Sequence, residues 1–169
     1  MRIIVNDANI LIDIVELSLL QHFFRLSYEF QTTAAIIAEL IFEQQAALDQ
    51  YIQTGKLIVV DFTEGELTSI YELNRERPSL SPQDCSAYYQ AKKVGGILIT
   101  GDNSLKRYAR MNQLESYGHL WVFDKLVESG ILSGPQASAA LSTLTEYLNP
   151  RLGLPIAECE KRHTMWLSA

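Results

Sequence analysis

Three short runs of consecutive apolar residues, rich in β-branched side chains, recur along the chain: Ile3-Ile4-Val5, Leu57-Ile58-Val59-Val60 and Ile97-Leu98-Ile99. A run without polar alternation suits a strand buried on both faces, as in a parallel sheet covered by helices. Polar turn residues and then a helical pattern follow each run. After the first come Asn6-Asp7-Ala8-Asn9 and a helix beginning near Ile10. The pattern predicts one long helix from about Thr33 to Gln53, stopped at Gly55, and another from Glu64 to Arg77, stopped by Pro78. Ser81-Pro82-Gln83-Asp84 is a sharp helix start: an N-cap serine, a proline at the first helical position and an acid three residues after the cap. That helix runs to about Lys93 and closes at Gly95-Gly96. Gly101-Asp102-Asn103 opens another, with Leu105, Tyr108 and Met111 at helical spacing. Leu114 to Tyr117 fits a short fourth strand, His119 to Phe123 fits strand or helix, and Ala137 to Leu148 and Ile156 to Leu167 read as helices. Buried strands alternating with helices predict an α/β domain with a parallel sheet and right-handed crossovers.

Composition narrows the function. A chain of 169 residues with 47% hydrophobic and 20% charged residues is an ordinary globular domain. Its formal net charge of -6 argues against a whole-surface nucleic-acid coat and leaves room for a local basic patch. Cys85 and Cys159 lie in no short-spaced Cys/His cluster, and His22, His119 and His163 have no zinc-type spacing. The first apolar run is too short for a signal peptide, and no stretch approaches the ~20 apolar residues of a membrane span. The expectation is a soluble cytoplasmic domain.

Ligands of parallel α/β sheets bind beyond the carboxyl ends of the strands. Asp7 follows the first strand, and Asp102 follows Thr100-Gly101 after the strand at Ile97. A simple placement puts Asp84, in the first turn of the preceding helix, at the opposite end of the sheet. Glu39 falls within the long predicted helix, where helical geometry does not choose it over Glu43. Acids converging in one cleft repel one another, and a divalent cation removes that penalty. Oxygen ligands suit Mg²⁺ or Mn²⁺. Each acid also has a structural reading: Asp84 as half of a capping box, Asp102 as an N-cap, Asp13 as a bond that fixes the first helix.

Four motifs in order then resemble those of the PIN-domain family: Asp7-Ala8-Asn9-Ile10-Leu11-Ile12-Asp13, Ala38-Glu39-Leu40, Leu80-Ser81-Pro82-Gln83-Asp84-Cys85-Ser86, and Leu98-Ile99-Thr100-Gly101-Asp102-Asn103-Ser104-Leu105. The resemblance implies a three-layer domain with a small central parallel sheet flanked by helices. It spans about residues 1–132, with residues 133–169 as a helical C-terminal extension packed on the same domain. It favours a helix from about Leu120 to Ser129. It also implies that Asp7, Glu39, Asp84 and Asp102 share one cleft and bind one or two Mg²⁺ or Mn²⁺ ions. PIN domains are commonly metal-dependent ribonucleases, and many small ones are toxins of VapBC-type toxin–antitoxin pairs; this chain is longer than a minimal toxin of that kind. The chemistry implied is hydrolysis of RNA phosphodiester bonds by a metal-bound hydroxide, with Asp84 or Glu39 accepting a proton or orienting the water. The partners implied are RNA, an antitoxin protein and a second copy of the chain.

A polyanion needs cations. Lys92, Lys93, Lys106, Arg107 and Arg110 lie within 19 positions that contain one acid, Asp102, a local charge of +4. Lys106, Arg107 and Arg110 are the candidates for RNA phosphates, with Lys106 and Arg110 on one helix face. Asn9, Thr100 and Ser104 are candidates for ordering water beside the acids, or for satisfying local turns. Phe23, Phe24, Tyr28 and Phe30 form an aromatic cluster that reads as core or as an interface. A second reading of the whole is a catalytically inactive PIN-like binding or regulatory module. Phosphatases of the haloacid-dehalogenase type and receiver domains fit less well, because Asn9 stands where the former need a second Asp and the latter need paired acids after the first strand.

Overall fold

The structure is a computed structural model that describes residues 1–168. Five parallel strands form one sheet: β1 (Ile3–Asn6), β2 (Glu29–Thr33), β3 (Leu57–Val60), β4 (Ile97–Ile99) and β5 (Ser116–Tyr117), in the order β3-β2-β1-β4-β5. The chain leaves central β1 in one direction for β2 and β3, and crosses back to place β4 on its other side. The topological switch therefore lies between β1 and β4, where such sheets bind ligands. The backbone N–H of Asp7 donates to the Ile99 carbonyl at 3.0 Å, which ties the two strand ends together there.

Around the sheet lie α1 (Ala8–Glu16), α2 (Leu20–Phe23), α3 (Ala34–Ile37), α4 (Phe42–Gln53), α5 (Glu64–Glu76), α6 (Pro82–Val94), α7 (Asn103–Met111) and α8 (His119–Glu128). Then follow α9 (Gly134–Thr143), a π-helical turn (Leu144–Leu148), a 3₁₀ turn (Pro150–Leu152) and α10 (Ile156–Leu167). Val5, Ile97, Leu98 and Ile99 are fully buried at the centre, with Ile10, Leu11 and Ala87 from the covering helices. Helix α9 packs on α8 and α10, and Trp166 of α10 meets Phe123 of α8 at 6.0 Å between ring centroids. No helix among the described residues is long and apolar enough to cross a membrane.

The structure corrects the helix expected from Thr33 to Gln53. Thr33 ends β2 and caps α3, accepting from the Ile36 N–H at 3.2 Å. The chain then turns through residues 38–41 before α4 starts. Two glutamines hold the break. Gln44 Oε1 accepts from the Ile41 N–H at 3.2 Å, and Gln45 Nε2 donates to the carbonyls of Ile37 at 3.1 Å and Leu40 at 2.8 Å. These bonds satisfy backbone groups that the break leaves unpaired. Residues 119–123 are helical, and Phe23 and Phe30 are core, with ring centroids 4.7 Å apart.

Candidate active site

The simple placement of Asp84 is also overturned. A helix that feeds a parallel strand runs antiparallel to it, so the first turn of α6 lies at the carboxyl edge of the sheet. Asp7, Glu39, Asp84 and Asp102 line one cavity of about 310 Å³ there, with Asn9 and Ser81. Glu43 does not line it. Glu39 comes from the turn after α3, not from a helix face, and is exposed at the rim.

Helix starts hold three of the acids. Asp7 is the N-cap of α1: its Oδ1 accepts from the Ala8 N–H at 2.6 Å. Its Oδ2 accepts from the Thr100 hydroxyl at 2.7 Å, and Thr100 Oγ1 in turn accepts from the Asp102 N–H at 3.0 Å. Asp102 caps α7 through Oδ1, which accepts from the Leu105 N–H at 2.6 Å. Asp84 completes a capping box with Ser81, accepting through Oδ2 at 2.8 Å while Ser81 Oγ accepts from the Asp84 N–H at 3.0 Å. The structural readings of Asp84 and Asp102 therefore hold, and they do not compete with a role in the cleft. A cap uses one carboxylate oxygen. It leaves Oδ1 of Asp84 and Oδ2 of Asp102 without a hydrogen-bond partner among the described residues.

Electrostatics marks the cleft as short of positive charge. No Lys, Arg or His lines it. Burial pushes the Asp7 carboxyl up from 3.8 to about 7, opposed by the Thr100 bond and reinforced by the charges of Asp84 and Glu39. Glu39 is also raised, by desolvation and then by Asp84. Among the described residues no three His, Cys, Asp or Glu side chains enclose an ion by themselves. The cleft presents carboxylate oxygens, hard donors of the kind that Mg²⁺ and Mn²⁺ take together with water and substrate oxygens.

The basic candidates divide. Lys106 and Arg110 line a second cavity with Gly118, His119 and Trp121. Arg107 faces elsewhere, beside Arg77, Ser79 and Tyr108. Ser104 borders that third cavity and a fourth, which adjoins the acidic cleft at Asn9 and Asp102. Lys93 pairs with Glu66 at 2.5 Å, and Lys92 donates to the Asn112 carbonyl at 2.7 Å.

Asp13 does not line the cleft. It is buried, accepts from Asn149 Nδ2 at 3.1 Å, and shares a hydrogen bond of 2.7 Å with His119 Nε2. Sequence reasoning assigns nothing to His119 and Asn149, because their only signal is a partner more than 100 positions away.

A family model described as a PIN domain matches residues 3–153, most of the chain. The chain belongs to the PIN-domain family. No curated protein matches it. PIN domains are usually nucleases, and the family match extends through α9 to the turn before α10. The acidic cleft lies beyond the carboxyl ends of β1 and β4, at the switch point where parallel α/β sheets bind ligands.

Proposed function

We propose that the acidic cleft is the active site of a Mg²⁺- or Mn²⁺-dependent endoribonuclease. The observation that carries this reading is the convergence of Asp7, Glu39, Asp84 and Asp102 on one cavity that no cationic side chain lines. These four acids would hold one or two divalent ions. When bound, such an ion lowers the pKa of water to give a nucleophile near neutral pH and stabilises charge developing on phosphate oxygens.

The chain's own residues do the rest. Thr100 fixes Asp7 and the backbone of Asp102 through one hydroxyl, so the carboxylates after β1 and β4 keep their spacing. Asn9 and Ser104 supply polar groups for ordered water. Glu39, exposed at the rim, or Asp84, with one carboxylate oxygen outside its capping box, would accept the proton released by the attacking water or orient that water. Lys106 and Arg110 supply positive charge for RNA outside the cleft, whereas Arg107, a candidate by sequence, faces the other side of α7. A toxin within a toxin–antitoxin pair is the biological form that the family resemblance suggests. An antitoxin and a second copy of the chain are then the protein partners.

The test is cleavage of single-stranded RNA with Mg²⁺ or Mn²⁺ against EDTA. Asp7→Asn and Asp102→Asn are expected to lower the metal-dependent rate at least about a hundredfold while the fold persists. Cleavage unchanged in both variants would contradict the assignment. It would favour the reading of a non-catalytic binding module.

A further inference from the structure

The second cavity, about 450 Å³, lies between α7 and the C-terminal segment 152–155. Lys106 and Arg110 supply its positive charge, and neither has a carboxylate partner among the described residues. Lys106 is half-buried and its ammonium makes no hydrogen bond; it lies over Gly118, where a Cβ would stand 3.0 Å from Nζ. Arg110 donates only to the Ser116 carbonyl, at 3.1 Å. Glu158, the one acid in the lining, is already paired with Arg162 at 2.7 Å. The half-buried Lys106 ammonium is disfavoured by its partial desolvation and by the Arg110 guanidinium, with Asp102 the one charge acting in its favour, so an anion bound here would offset that cost.

A second observation points the same way. His119 is 2% exposed and lines this cavity, and its Nδ1 has no hydrogen-bond partner. Gly101 leaves space over that ring edge: a Cβ there would lie 2.8 Å from Cε1 and 3.5 Å from Nδ1. The cavity connects to the acidic cleft. An intermediate cavity of about 380 Å³ shares Gly101, Asn103 and Leu152 with it, and Asn9 and Asp102 with the cleft. Asn149 and Arg151 form one wall of that intermediate stretch, so the segment after the π-helical turn borders both.

We propose that this cavity is a phosphate subsite, in which Lys106 and Arg110 receive a phosphate of the RNA strand flanking the one in the acidic cleft. The proposal rests on the ribonuclease reading for the identity of the strand. It gives the segment 149–155 a function as the wall that guides the strand between the two sites. Arg107, on another side of α7, takes no part.

The experiment measures binding of a fluorescein-labelled 12-nucleotide single-stranded RNA by anisotropy, in EDTA so that nothing is cut, over a range of salt. The proteins are the wild type, Lys106→Met, Lys106→Arg and Arg107→Met. Methionine keeps the buried stem and removes the charge. Lys106→Met is expected to weaken binding and to flatten the log K against log salt slope by about 0.7, the value of one single-strand phosphate contact. Lys106→Arg restores both, and Arg107→Met leaves the slope unchanged. A parallel titration with adenosine monophosphate follows Trp121, which lines the cavity; Trp166 is buried elsewhere. A slope unchanged in Lys106→Met overturns the subsite while leaving the ribonuclease reading intact. Lys106-dependent binding of the mononucleotide without any binding of RNA overturns the strand as its source, and absence of both overturns the subsite.

Discussion

Asp7 is the residue on which the account turns. Its carboxyl titrates near 3.8 in an unfolded chain and is raised to about 7 in the folded one. The folded state therefore holds the proton more tightly. Asp7 opposes folding progressively as pH rises from about 4 to about 7, and the penalty then levels off at roughly 4 kcal/mol by the conversion of one pKa unit to 1.4 kcal/mol. The difference in melting temperature between wild type and Asp7→Asn, followed across that range without metal, should grow with pH in favour of the variant. At pH 7.5 added Mn²⁺ should stabilise the wild type and leave Asp7→Asn nearly unaffected. A wild type that gains stability relative to the variant on going from pH 4 to 7 would contradict the buried, uncompensated carboxylate. Thr100 works at the same scale. Thr100→Val keeps the shape and removes the bond to Asp7, so the wild-type-minus-variant pH profile should show the Asp7 transition displaced upward.

Elements carry these residues to one place, and their legibility in the sequence differs for physical reasons. The start of α6 is legible because a capping box is local: Ser81, Pro82 and Asp84 contain all of it. The break before α4 is not, because Gln44 and Gln45 look like helix-surface residues until they turn back on the chain. Strand β2 is masked for a related reason. Gln31, Thr32 and Thr33 are buried polar residues made tolerable by distant partners: Gln90 at 2.7 Å, the Asn6 carbonyl at 3.0 Å and Ser86 at 2.8 Å. The acids of the cleft are legible in identity and order, whereas Glu39's escape from a helix and Asp84's position at the carboxyl edge are products of topology. At the far end, the packing of α9 on α10 depends on Gly134, where a Cβ would overlap the carbonyl of Trp166. Gly134→Ala should cost about 1–3 kcal/mol in denaturant unfolding, as overpacking does. An unchanged midpoint would show that the two helices separate freely.

Across the whole molecule, the switch between β1 and β4 gathers acids that lie up to 95 positions apart in the sequence, Asp7 and Asp102. Burial of Asp13 with His119 and Asn149 fastens α1, α8 and the C-terminal segment into that same body. The role proposed for this arrangement, which none of its parts has separately, is that the carboxylates act together on a divalent ion. Calorimetric titration of Mn²⁺ into metal-stripped protein, with Asp7→Asn and Asp84→Asn alongside, tests this most directly. The account predicts saturable binding in the wild type that is lost in both variants while their folds are retained. No saturable heat at millimolar Mn²⁺, or binding that survives both substitutions, would contradict it.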